Sequence, residues 1–198
     1  MFPILPFFLA FIVWLAFRLS KAKKSTQKRI DDFWEKEKKA DLAPPKDLRT
    51  LEYVTVPVDT FPFGKVFDSE IEMIESSLLE LSHTKMLNIN GKLNADIKQE
   101  YGASNLDAVA AMGDRFEQMT MLLVDYAKAL IEAGEYAGAM TVLEYGRSAG
   151  SDVSGNYTLL GDCYKQLGMT DKLNELRADA ELSSLPRKAH IVDYLNNL

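Results

Sequence analysis

One cysteine and two histidines occur among the 198 residues. A lone Cys163 excludes an intramolecular disulfide and any multi-cysteine zinc site. His83 and His190 leave little imidazole for catalysis, and neither has a second ligand at helical spacing, so no metal site is expected. Excess positive charge is also missing. The 23 Lys and Arg face 29 Asp and Glu, a net charge of −6, which argues against a nucleic-acid partner. No Walker loop, GxGxxG, HExxH or EF-hand pattern is present, so no cofactor is implied. What remains, 47% hydrophobic and 26% charged, is an ordinary globular mixture, and it excludes a wholly disordered or collagen-like chain.

That average conceals a divided chain. Met1–Phe17 carries no charged or strongly polar side chain. Seventeen helical residues span roughly 25 Å at 1.5 Å each. With Arg18 able to snorkel and Leu19 extending the run, residues 1–19 are expected to form a transmembrane anchor in the lipid bilayer. A cleavable signal would carry basic residues before the run and small ones at a cleavage site, and neither is found. Six basic residues follow before the first acid: Arg18, Lys21, Lys23, Lys24, Lys28 and Arg29. Basic flanks stay on the cytoplasmic side, so the expected topology is a single pass, N-terminus outside and the rest cytoplasmic. The same six residues are candidates for contact with anionic headgroups.

Between Arg18 and Arg49 stand 11 basic and 6 acidic residues, and from Thr50 onward the balance reverses to 12 and 23. Residues 20–42 read as a basic juxtamembrane helix that can continue the anchor. Ile30, Phe33 and Trp34 make a small apolar patch on it, expected to dock on the chain's own domain. Ala43-Pro44-Pro45 stops the helix. Residues 43–67 then read as an extended linker or strap. Leu51–Val56 is β-favouring, and is expected to lie along the domain or to pair with Lys85–Asn90. Phe61 and Phe63 are expected to pack inward.

From 68 to 198 the pattern has helical period, giving a mostly α fold class. Ser69 with Glu72 suggests a capping box, before a stripe of Ile71, Ile74, Leu78 and Leu81. Ala95–Tyr101 reads as a short helix stopped by Gly102. Asn105 is the expected cap of a long helix from Leu106 to about Ala133, which Gly113 can kink. Its seam, Val109, Met112, Phe116, Met119, Leu123, Tyr126 and Leu130, steps by 3 and 4. Such a seam suits packing within the chain or a coiled-coil homo-oligomer.

Gly134 and Gly168 lie 34 residues apart, each ending one amphipathic helix and opening another (Tyr136–Ser148 and Thr170–Ser183). Ala127 and Gly161, followed by Leu130 and Tyr164, occupy matching places, with Ala139 and Ala180 in the second helices. In this the chain resembles the tetratricopeptide repeat (TPR), with repeat pairs at about 121–153 and 154–187. It departs from that pattern at Leu123 and Tyr157 (family tryptophan), Leu173 (alanine), Arg177 (aromatic) and in the closing prolines. More loosely, FWEKEKKA, FPFG and YGASNLDAV look like segments of single-span membrane-anchored proteins of anaerobic Gram-positive bacteria, a group that brings no activity with it. The TPR resemblance implies that Ala127 and Gly161 face their paired second helices. It also implies a partner-binding groove lined by Val124, Lys128, Ile131, Glu132, Thr158, Asp162 and Lys165. Arg187–Leu198 is the expected capping helix.

The functional expectation is a non-enzymatic, membrane-tethered scaffold or adaptor module for a protein partner. The alternative is a structural protein that self-associates along the helix 106–133. A remote alternative is a serine hydrolase at Ser148, from Gly146-Arg147-Ser148-Ala149-Gly150, although a nucleophile elbow needs a preceding strand. Cys163 reads as a buried small hydrophobe.

Overall fold

The structure, a computed structural model, describes residues 4–198, with the side chains of residues 4–10 and of Val13, Ala16, Ala22 and Ser25 outside the description. The described residues are mostly α-helical: α1 (Ile4–Asp41), α2 (Ser69–Ser82), α3 (Asn94–Tyr101), α4 (Leu106–Glu132), α5 (Tyr136–Ser148), α6 (Ser154–Gln166), α7 (Thr170–Leu182) and α8 (Lys188–Asn196). They form two compact units. One joins Met1–Leu48 with Lys92–Leu106, and the other joins Arg49–Gly91 with Asp107–Leu198.

The first unit is α1 with α3. α1 runs 38 residues without interruption, so the juxtamembrane helix does continue the apolar run. Residues 1–3 of the expected anchor lie outside the described residues. Among the described residues, no helix is long and apolar enough to cross a membrane. Lys38 and Lys39 complement the dipole at the C-terminal end of α1. α3 lies on the last turns of α1. Lys98 bridges Glu37 (3.0 Å) and Asp41 (2.8 Å), Lys36 pairs with Asp96 (2.7 Å), and Ala40 is buried. Asn105 does not cap α4 as expected. Its Nδ2 instead donates to the Lys46 and Tyr101 carbonyls (2.8 and 2.7 Å), because the chain turns there through a short 3-10 segment, Ala103–Asn105.

The second unit has one continuous core, centred on Leu78, Met86, Phe116, Met119, Leu123, Tyr126, Leu143, Leu160, Tyr164 and Leu176. The cap of α2 is Asp68, not Ser69. Asp68 Oδ1 accepts from the Glu70 and Ile71 amides at 2.8 and 3.3 Å, one residue earlier than the capping-box reading. α4 continues through Gly113 without a break. A Cβ on Gly113 would come closer than 3.0 Å to Ile89, so the glycine admits a side chain from the loop after α2. The long seam of α4 is buried in this core, Val109, Phe116, Met119, Leu123, Tyr126 and Leu130 all being enclosed. Packing within the chain thus takes up six of the seven seam residues, and Met112 is half-buried.

The strap packs onto this unit. Val54 makes a single antiparallel bridge with Met86, its amide donating to the Met86 carbonyl at 3.0 Å. The Tyr145 hydroxyl donates to the Thr55 carbonyl (2.8 Å), and burial pushes that phenol up to about 12. Phe61 is buried edge-on against Phe63 and Tyr145, and Phe63 meets Tyr126. Glu75 closes the strap by accepting from the Gly64 amide with both oxygens (3.1 and 3.0 Å) and from the Tyr126 hydroxyl (2.8 Å).

Two helical hairpins repeat at 34 residues. Gly134 and Gly168 have φ of +83° and +70°, a region glycine reaches freely. Around them the hydrogen bonds correspond residue for residue. Glu135 N–H to Leu130 O and Met169 N–H to Tyr164 O are both 2.8 Å, and Ala139 N–H to Glu135 O matches Leu173 N–H to Met169 O at 3.0 and 3.1 Å. α5 and α7 have 13 residues each. Gly161 departs from expectation. A Cβ there would meet Leu195 (2.5 Å) and Leu198 (2.8 Å) before Leu173 of α7 (3.7 Å). Its closeness therefore serves α8, which lies directly over it, more than the paired second helix.

Candidate protein-binding surface

The seven expected groove residues do not converge. Val124 packs against α6 where Gly155 stands, and a Cβ on Gly155 would lie 2.7 Å from Val124 Cγ1. Asp162 is engaged by α8, accepting from the Tyr194 hydroxyl at 3.0 and 2.9 Å. Burial first, and that carboxylate second, hold the Tyr194 phenol above its ordinary range. Thr158 turns back on its own helix, to the Ser154 and Gly155 carbonyls. Ile131 is half-buried against the core and Lys165 is exposed. Only Lys128 and Glu132 share a cleft, of about 250 Å³, with Asp125 and Ala129 of α4 and with Glu70, Met73 and Ile74 of α2.

That cleft continues along α4. Asp114, Glu117, Gln118, Met121, Leu122 and Asp125 line a shallow depression of about 430 Å³, and Asp125 belongs to both. On a helix these residues share one side, because they recur at three and four. The side lies away from the buried seam. Its chemistry is unusual for a solvated face. Five carboxylates (Glu70, Asp114, Glu117, Asp125 and Glu132) and one amine, Lys128, line the two depressions, yet Met121 is 55% exposed and Met73 is 72% exposed. Exposed methionines are adaptable apolar contacts, and the carboxylates set the sign of what they can contact. The sequence held a signal for this, an apolar Met121 placed on the charged side of an amphipathic helix.

The remaining candidates fall elsewhere. Ser148 ends α5 and donates to the Tyr145 carbonyl at 2.8 Å. Gly150 (φ +84°) then turns the chain, with the Ser151 amide donating to the Gly146 carbonyl at 2.9 Å. This is a helix C-terminal turn, whereas a nucleophile elbow is fed by a strand. Cys163 is buried, and its thiol is pushed up to about 12 by burial and by the Asp162 charge. Among the described residues, no group of His, Cys, Asp and Glu could hold a metal ion. On the other side of the hairpins, Glu144 accepts from the Tyr164 hydroxyl (2.8 Å) and the Lys172 ammonium (2.6 Å), and Arg147 pairs with Asp179.

The six basic residues Arg18, Lys21, Lys23, Lys24, Lys28 and Arg29 are exposed on α1. At about 100° per residue Arg18, Lys21, Lys24, Lys28 and Arg29 fall within one arc of roughly 140°, and Lys23 lies apart from them. The Arg18 guanidinium lies over the Trp14 ring at 5.3 Å. Comparison with family models, curated proteins and solved structures finds no match to this chain.

Proposed function

We propose that this chain is a non-enzymatic, membrane-tethered protein-interaction module. Residues 1–19 cross the bilayer with the N-terminus outside, and the TPR-like hairpins stand in the cytoplasm. The charge-free run Met1–Phe17 and the six basic residues behind it support this topology. The partner-binding surface is the α2–α4 strip, and the partner segment it suits is basic and amphipathic, apolar against Met121 and Met73. The observation that carries this reading is the pair of exposed methionines among five carboxylates.

Two measurements test it. Protease added to intact cells should leave the domain uncut, and digestion there would reject the topology. Photocross-linking from Gln118 in native membranes should yield one discrete adduct, lost on Met121→Glu or Asp125→Lys and kept on Lys165→Glu. An adduct indifferent to Met121 and Asp125 would reject the strip.

A further inference from the structure

On α1, Ile30, Phe33 and Trp34 are exposed by 44, 51 and 58%, and within their own unit α3 does not cover them. With Thr26 and Arg29 they line a shallow depression of about 370 Å³. The patch continues an interface the chain already makes. One turn further on, α3 covers the same stripe at Glu37, Ala40 and Asp41. Eight-residue α3 is only about 12 Å long, so it ends before reaching Phe33.

Lipid does not reach this patch, an argument that rests on the proposed anchor. Phe33 lies 14 residues beyond Leu19 on one unbroken helix, roughly 21 Å along its axis. The headgroup layer beyond the hydrocarbon core is only about 5–8 Å deep on each side. A second copy does reach it. Copies standing in one bilayer hold their patches at one height and in one orientation. Lys23, Thr26, Ile30, Phe33, Glu37 and Ala40 recur at 3 and 4, the spacing of a parallel seam. The opposite side of the helix, Lys24, Lys28, Asp31, Asp32, Glu35, Lys38 and Lys39, is wholly charged. Arg29 and Trp34 flank the seam on its two edges, the places that meet across a parallel pair. There an arginine of one copy covers a tryptophan of the other, as Arg18 covers Trp14 within the chain.

We propose that a second copy of this chain covers the Ile30–Phe33–Trp34 face, in a parallel α1–α1 pair. α3 occupies the stripe beyond Glu37, so the contact is short. It depends on confinement to the membrane plane, which raises the effective concentration of one copy at the other.

The test uses the full chain in phosphatidylcholine vesicles, with single cysteines oxidised by copper–phenanthroline. Cys163 is buried, and the chain without an added cysteine gives the background. Ile30→Cys and Phe33→Cys should form disulfide dimers several-fold more than Asp32→Cys and Glu35→Cys. Adding Phe33→Glu to Ile30→Cys should abolish its dimer. Equal dimer at all four positions, or more at 32 and 35, would overturn the pairing. An alkaline carbonate wash separates the two readings. A chain that washes off while keeping the 30/33 pattern loses its anchor and keeps its pair, whereas a chain that stays on without the pattern loses the pair alone.

Discussion

Gly146 and Asn156 offer a sharp test of the packing between α5 and α6. Asn156 is fully buried, its Nδ2 donates to the Leu143 carbonyl at 2.9 Å, and its Oδ1 has no donor. That oxygen rests on the Cα of Gly146. A Cβ at Gly146 would come closer than 3.0 Å to Oδ1 and would lie 3.1 Å from Cγ. The backbone there is ordinary helix, and the corresponding position 34 residues on holds Ala180, also buried. So the neighbour, not the helix, requires glycine. For Gly146→Ala, overpacking costs about 1–3 kcal/mol, and displacing Asn156 from its acceptor about 1–3 more, while helix propensity returns about 1. The expected net loss is about 1–5 kcal/mol. Asn156→Ala removes the obstacle. In that background the same Gly146→Ala change should stabilise by up to about 1 kcal/mol, so its sign reverses. Urea melts of the detergent-solubilised chain, followed by circular dichroism, give all four corners of the cycle. A Gly146→Ala cost that is equal in both backgrounds would refute the argument.

Three further outcomes are expected. Burial alone would raise the Glu144 carboxyl, but the Lys172 and Tyr164 hydrogen bonds outweigh it and hold the group below its ordinary 4.5. A lowered folded pKa means stability present above 4.5 and lost as pH falls through the folded value, so Glu144→Gln should flatten acid melts in that window. Cys163, buried and with its thiol raised to about 12, should react with iodoacetamide only through opening of the domain, so its rate should rise steeply with urea, and a rate indifferent to urea would refute the burial. A chain begun at residue 43 lacks Glu37, Ala40 and Asp41. It should stay helical and soluble, with α3 amides exchanging fast, and a start at residue 30 should restore their protection.

The helices were legible because their apolar residues keep period 3.6. α5 was read at its observed bounds, and α8 to within two residues at each end. The 34-residue spacing of Gly134 and Gly168 was legible because a left-handed turn position favours glycine. What could not be read depended on partners distant in sequence. Asn105 looks like a cap until Lys46 and Tyr101 take its amide. Gly113 looks like a weak point until Ile89 fills it. The groove positions carried over from the repeat pattern scattered because α6 takes Val124, α8 takes Asp162, Thr158 bonds its own helix and only Lys128 and Glu132 meet α2. The exposed strip was missed because Met121 resembles a core residue when only its hydrophobicity is counted.

Arrays of helical hairpins ordinarily fray from either end, since each hairpin touches only its neighbours. Here the strap breaks that symmetry. Residues 54–64 are held at once by the Met86 carbonyl, by Glu75 on α2, by Tyr126 on α4 and by Tyr145 on α5. None of these can leave without releasing the others. Past Tyr145 the hairpins are joined at the surface by Arg147 with Asp179 and Glu144 with Lys172, and α8 closes the far end with Ile191 and Leu195 buried, the Tyr194–Asp162 bond and the Arg177 guanidinium on the Leu195 carbonyl. Unfolding is therefore expected to have a direction, opening first at the α8 end, away from the strap, and becoming a single cooperative step where the strap is reached.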